Sequence, residues 1–195
     1  RLMLTIPARL RDIDKSLTPG RYDFVGENSC KSVLDRLAEA DFLRVRVTLP
    51  EGMPIWRVAR LLQSRLDLDS ARIMSYNFDS AFLAPMNTPT LEGYLFPETY
   101  TFKWGVSDTF VVKTMVDMFH SQTQSLFSEG RDFHGLTRDQ VITLASIVEA
   151  EAYLSEEKPI VASVYLNRLR ENWRLDGDAT VISGLGGTDR PLYRQ

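Results

Sequence analysis

Cysteine is almost missing from this chain: Cys30 is the only one in 195 residues. No internal disulfide framework can exist, and a lone thiol is more often a small packed hydrophobe than a nucleophile. Histidine is scarce too. His120 and His134 are the only two, and neither has a His, Cys or carboxylate at zinc-ligand spacing, so neither a metal nor any other cofactor is expected. No apolar run approaches the ~18 residues that a membrane helix needs. Nor is there a basic run able to neutralise phosphates in series. The 23 Lys and Arg against 26 Asp and Glu leave a net charge of -3, and nucleic acid is not an expected partner. A Gly-x-Ser-x-Gly elbow is lacking, and the glycine-rich stretch 183–187 has no following helix to make it a phosphate cradle. What is present is ordinary for a folded globular piece: 44% hydrophobic and 25% charged residues. The start at Arg1 instead of Met is what a chain trimmed of an anchor or signal would show.

Periodicity outlines the elements. Residues up to Gly20 have no clear period, and Arg21 to Val25 reads as a short strand. Ser29 should cap a helix with apolar Val33, Leu34, Leu37 and Ala38. Phe42 to Leu49 alternates Leu43, Val45, Val47 and Leu49 with Arg44, Arg46 and Thr48, which is a strand with one wet face. After the Pro50-Glu51-Gly52 turn, Ile55, Val58, Ala59 and Leu62 form a helical stripe. The segment from Asp69 to Pro89 reads as a connection with one short helix. Leu91 to Tyr100, holding Gly93 and Pro97, cannot be a regular helix. Ser107 should cap a long helix with Val111, Met115, Met118, Gln122 and Leu126 on one side, ended by Gly130. Thr137 with Gln140 has capping-box spacing before the stripe Val141, Leu144, Ala145, Val148 and Ala152. A last helix, about Glu156 to Glu171, is apolar at Ile160, Val161, Val164 and Leu169.

Carboxylates are the best chemical lead. Glu149 and Glu151 fall late in an otherwise apolar helix, where partial burial would favour the protonated form and make a usable general acid. At ~100° per residue they stand about 200° apart and should not serve one reacting bond together. Spacing alone does not choose between them, nor between catalysis and two solvated acids bordering a core helix. Tyr94, Phe96, Tyr100 and Trp104 are candidates for stacking on sugar faces, with core packing the commoner use of such rings.

Four blocks in order are more specific: LEGYLFPETY at 91–100, LASIVEAE at 144–151, VASVYLNRL at 161–169 and DATV at 178–181. Together they resemble the YceG-like family of endolytic murein transglycosylases. Upstream, LTPGRYDF at 17–24 and VTLPEG at 47–52 resemble the LysM-like region that precedes the family's catalytic part. The resemblance implies an α+β chain, with a strand-helix-strand-helix LysM-like module in 1–68 and a mainly helical catalytic domain in 69–195. That domain is expected to be incomplete at its C-terminus, where the family continues.

The implied activity is lytic cleavage between N-acetylmuramic acid and N-acetylglucosamine in (nascent) glycan strands, with 1,6-anhydro ends, which would terminate glycan elongation. Glu149 takes the position of the family's catalytic acid and base. Glu92, Tyr100, Glu151, Asn167, Asp178 and Thr180 match positions tied to substrate binding or its scaffold. The implied partners are peptidoglycan glycan strands and peptidoglycan synthases. The implied location is the cell envelope, on the periplasmic face of the inner membrane, through a membrane anchor absent from this chain. Two rivals stay open: a muramidase pairing Glu149 with Glu92, Glu98 or Asp178, and a peptidoglycan-binding scaffold without activity.

Overall fold

The alternating run of β-branched residues around Val45 and Val47 forms strand β1 (Arg44–Thr48), with Val47 buried and the arginines facing water. A computed structural model describes residues 22–24, 26, 29–38, 43–127 and 132–175. Ahead of β1, Ser29 caps helix α1 (Cys30–Ala38) by accepting from the Ser32 N–H at 3.1 Å. Tyr22 to Phe24 have no strand structure, in contrast to the expectation for Arg21 to Val25. The partner of β1 lies elsewhere. It is β2 (Thr99–Lys103), antiparallel, with Val47 opposite Tyr100 and Val45 opposite Phe102. The strand-helix-strand-helix module expected of the first 68 residues is thus not seen among the described residues. The ladder continues past both ends, from the Leu49 N–H to the Glu98 carbonyl and from the Trp104 N–H to the Leu43 carbonyl.

Helix α2 (Ile55–Leu66) buries Ile55, Val58, Ala59, Leu62 and Leu66, the stripe foreseen plus one turn, and ends at Asp67 in the left-handed conformation. The next segment is more helical than its polar composition suggests. Asp69 caps α3 (Ser70–Tyr76) and Asp79 caps α4 (Ser80–Leu83), each carboxylate accepting from two amides, and a 3-10 turn at Ala84–Met86 follows. Helix α5 (Asp108–Thr123), capped by Ser107, buries Val111, Val112, Met115, Val116 and Phe119. Its inner face is rotated from the expected stripe: Gln122 and Leu126 are exposed, and the helix stops at Thr123.

One core cluster joins Val47 and Leu49 with the α2 stripe, Ile73, Leu91, Tyr100, Phe102 and the inner face of α5. It straddles residue 68, so packing is continuous across the boundary that the resemblance implies. Beyond it, the Thr137–Gln140 capping box starts helix α6 (Arg138–Glu151), which buries Ile142, Ile147 and Val148. Helix α7 (Lys158–Arg170) packs on α6 through Val161, Ala162 and Tyr165. Ile160, Val164 and Leu169, expected inside, are exposed, because the contact runs along the adjoining stripe. None of the helices in the described residues is long and apolar enough to cross a membrane.

Candidate active site

The LEGY block is held from three sides. Asn77, just past α3, accepts through its side-chain oxygen from the Thr90 hydroxyl at 2.6 Å, the Leu91 N–H at 2.9 Å and the Glu92 N–H at 3.2 Å. Leu91 is buried in the main core. Tyr94 packs with Phe119 and Ile142, and its hydroxyl donates to Asp139 near the start of α6. Between them Gly93, at φ +81°, lies against α6: a Cβ there would sit 3.2 Å from Ile142 Cγ2 and 3.3 Å from Ser146 Oγ. Only glycine fits this approach with that backbone. Arg138 at the head of α6 donates to His120 Nδ1, so the other ring nitrogen donates to the Met86 carbonyl at 2.7 Å. These contacts set the height and rotation of α6 against the rest of the molecule.

Glu149 stands in the last turn of α6, one turn beyond Ser146. It is not sunk in the apolar helix as the sequence suggests. Its side chain is 39% exposed, and Oε2 accepts from Lys158 Nζ at 2.6 Å, across the hairpin between α6 and α7. On another side is the turn before α2. Gly52, at φ +65°, has no side chain, and a Cβ built there would be 3.5 Å from Glu149 Cγ and 3.9 Å from Oε1. Three residues on, Glu92 Oε2 accepts from the Ile55 N–H at 3.0 Å, occupying an unpaired amide in the first turn of α2. Burial pushes the Glu92 carboxyl above its ordinary value, more than the backbone bond lowers it. VTLPEG, LEGYLFPETY and LASIVEAE, far apart in sequence, thus converge at one place.

Other expected site residues are not drawn together there. Tyr100 is buried beside Phe102 in the sheet and donates to the Phe96 carbonyl at 2.7 Å; burial first, and the charge of Glu98 second, push its hydroxyl up to about 12. Tyr94 is as fully enclosed, and its hydroxyl is raised mainly by burial and then by Asp139. Both rings are core aromatics. Phe96 and Trp104 are half-buried. Glu151 is exposed at the end of α6. Asn167 lies nine residues along α7 from Lys158, about 14 Å of helix rise, and accepts from Arg170. Asp178 and Thr180 fall outside the described residues. Among the described residues, no group of three or more His, Cys, Asp or Glu could hold a metal ion.

Sequence reasoning passed over Lys158, Gly52 and Asn77. Lys158 follows Glu156 and Glu157 in a run that reads as solvated surface. Gly52 reads only as a turn, because nothing local reveals what packs on it.

Compared with known protein families, residues 2–195 match the YceG-like family. The chain belongs to the YceG-like family. A Bacillus subtilis (strain 168) relative named endolytic murein transglycosylase is 27% identical over 169 residues, 76% of this chain and 46% of its own length. A Streptococcus pneumoniae (strain D39) relative of the same name is 29% identical over 96 residues, 49% of this chain and 17% of its own. This YceG-like chain therefore spans about half the length of the Bacillus relative and less of the Streptococcus one. In fold it is similar to the crystal structure of a yceG-like protein from Listeria monocytogenes, with a TM-score of 0.65 at 24% identity, over 98% of this chain and 68% of that one.

Proposed function

We propose that Glu149 is the catalytic carboxylate of an endolytic murein transglycosylase. The enzyme would cut the β-1,4 bond between N-acetylmuramic acid and N-acetylglucosamine within peptidoglycan glycan strands, leaving 1,6-anhydro ends. The observation that carries this reading is the setting of Glu149, a partly open carboxylate held by one cation and backed by a side-chain-free turn. It is supported by membership of a family whose curated relatives bear that name. One carboxylate suffices for lytic cleavage. As a neutral acid, Glu149 gives its proton to the departing GlcNAc oxygen as the anomeric C1–O bond breaks. As a carboxylate, it then takes the proton of the muramic C6 hydroxyl as that oxygen bonds to C1. The glutamic acid is regenerated and no water is consumed, whereas hydrolysis needs a second carboxylate to activate water or form a glycosyl ester. Such an enzyme would work in the cell envelope at the periplasmic face of the inner membrane, terminate glycan elongation and act beside peptidoglycan synthases.

A muramidase remains the second reading because of Glu92, whose carboxyl is raised by burial and which caps α2 three residues from Gly52. Its Oε2 is engaged by the Ile55 amide, which favours a scaffold role. Digestion of purified glycan strands by the full-length protein, with mass analysis of the ends, separates the readings. Anhydro ends support lytic cleavage, reducing muramic ends support the muramidase, and binding without cleavage supports the scaffold. Glu149→Gln is expected to keep the fold and glycan binding while cleavage falls by about 10²–10⁴-fold or more. Glu151→Gln should be much milder; equal losses would contradict the assignment to one face of α6.

A further inference from the structure

We infer that Lys158 is the positioning residue of the Glu149 carboxylate: it secures Oε2 and leaves Oε1, beside the bare Gly52 turn, as the oxygen that exchanges the proton with the glycan. The inference rests on the reading of Glu149 given above and adds a residue to it.

The two oxygens have different surroundings. Oε2 receives Lys158 Nζ at 2.6 Å, while Oε1 is the oxygen nearer to where a side chain on residue 52 would be. A Cβ there would stand in van der Waals contact with the carboxylate, at 3.5 Å from Cγ and 3.9 Å from Oε1. Glycine leaves that space unfilled.

Helix formation gives no reason for either charge. Glu149 is in the last turn of α6, which has no basic residue, and Lys158 is the first residue of α7. An anion at a helix C-terminus and a cation at an N-terminus each oppose the helix dipole. Their pairing across the hairpin offsets both mismatches and points to a role in the site. Charged residues on the segments that meet here are Glu51 of the turn, Arg57 in the first turn of α2, Glu92, Glu151 on α6, and Glu156 and Glu157 before Lys158. The side chains of Lys158 and Glu149 are 34% and 39% exposed, so the pair is open to a ligand and contributes little to folding. A fixed carboxylate matters because misplacing a reacting group by about 1 Å can cost on the order of 100-fold in rate.

The test compares Lys158→Met, Lys158→Arg and Glu149→Gln in the full-length protein, measuring kcat and KM for release of anhydro ends from purified glycan strands. Lys158→Met should lower kcat by about 10- to 100-fold with KM little changed. Lys158→Arg should recover most of the rate, and Glu149→Gln combined with Lys158→Met should be no slower than Glu149→Gln alone. Should Lys158→Met melt early, Lys158→Gln carries the same comparison. An inactive Glu149→Gln beside a Lys158→Met of normal kcat overturns the inference alone. A lowered kcat with no rescue by arginine, or a loss that falls on KM in place of kcat, also overturns it, as that is a merely structural effect. An active Glu149→Gln overturns the reading of Glu149 itself.

Discussion

Glu92 and Glu149 are carboxylates with opposite surroundings: one is drawn in against the α2 amide of Ile55, the other is open and paired with Lys158. Because burial raises the Glu92 carboxyl, the folded protein holds its neutral form more readily than the unfolded chain does. That preference is fully present in acid, below the ordinary value of 4.5, and is lost as pH rises through the raised value. Glu92→Gln keeps an acceptor for the Ile55 amide without a charge. It should therefore match the parent protein in thermal melts near pH 4 and exceed it at pH 8 by about 2–4 °C, the size of a 1 kcal/mol effect in a chain of this length. Retained glycan cleavage in this variant would assign Glu92 to the scaffold; loss of cleavage that yields reducing muramic ends would favour the muramidase. The block marks Glu149 only as a candidate, and its setting leaves no trace in the sequence. Lys158 lies nine residues on, across a hairpin whose geometry no local pattern encodes.

At the scale of elements, caps and strong stripes were readable. Ser29, Ser107 and the Thr137–Gln140 box act as their side-chain chemistry requires, and the α2 stripe is buried as spaced. Strand β2 was missed although Tyr100 and Phe102 alternate with Thr99, Thr101 and Lys103, because Gly93 and Pro97 dominate the reading of that block. The short helices α3 and α4 were missed since Asp caps in a polar stretch resemble loop composition. On α7 the apolar positions exceed what one neighbour can cover, so periodicity could not say which of them face α6. The contact between the LEGY block and α6 is tested by Gly93→Ala. Its methyl group would meet Ile142 and Ser146 at 3.2 and 3.3 Å from a left-handed backbone, and should destabilise by about 1–3 kcal/mol. Thermal melts should show a fall of several degrees, and catalysis should weaken as α6 shifts; an unchanged melting temperature would mean that this approach is loose.

For the whole molecule, the resemblance implies a module in 1–68 and a catalytic domain in 69–195. Packing joins Val47, Leu49 and the α2 stripe to Leu91, Tyr100, Phe102 and α5 in one cluster. Sheet pairing between distant segments leaves no local trace: a half-buried strand shows its alternation but not its partner. A piece consisting of 69–195 would leave β2 unpaired and strip the inner face of α5 of its main cover. It is expected to melt broadly, without a cooperative transition or a native near-ultraviolet circular dichroism spectrum. A sharp transition with that spectrum would show that the helical part stands by itself.

The pairing of Thr48 with Thr99, 51 positions later, also bears on how the protein is born. Ribosomes add about 5–20 residues per second, so β1 emerges on the order of 3–10 s before the strand that covers it exists. Through that interval its valines and the α2 stripe have no final neighbours, and closing the sheet waits on a long loop with its entropic cost. The nascent chain is thus most open to aggregation or chaperone capture before α5 is complete, and slowing translation within residues 50–100 should lower the soluble yield more than slowing it after residue 125.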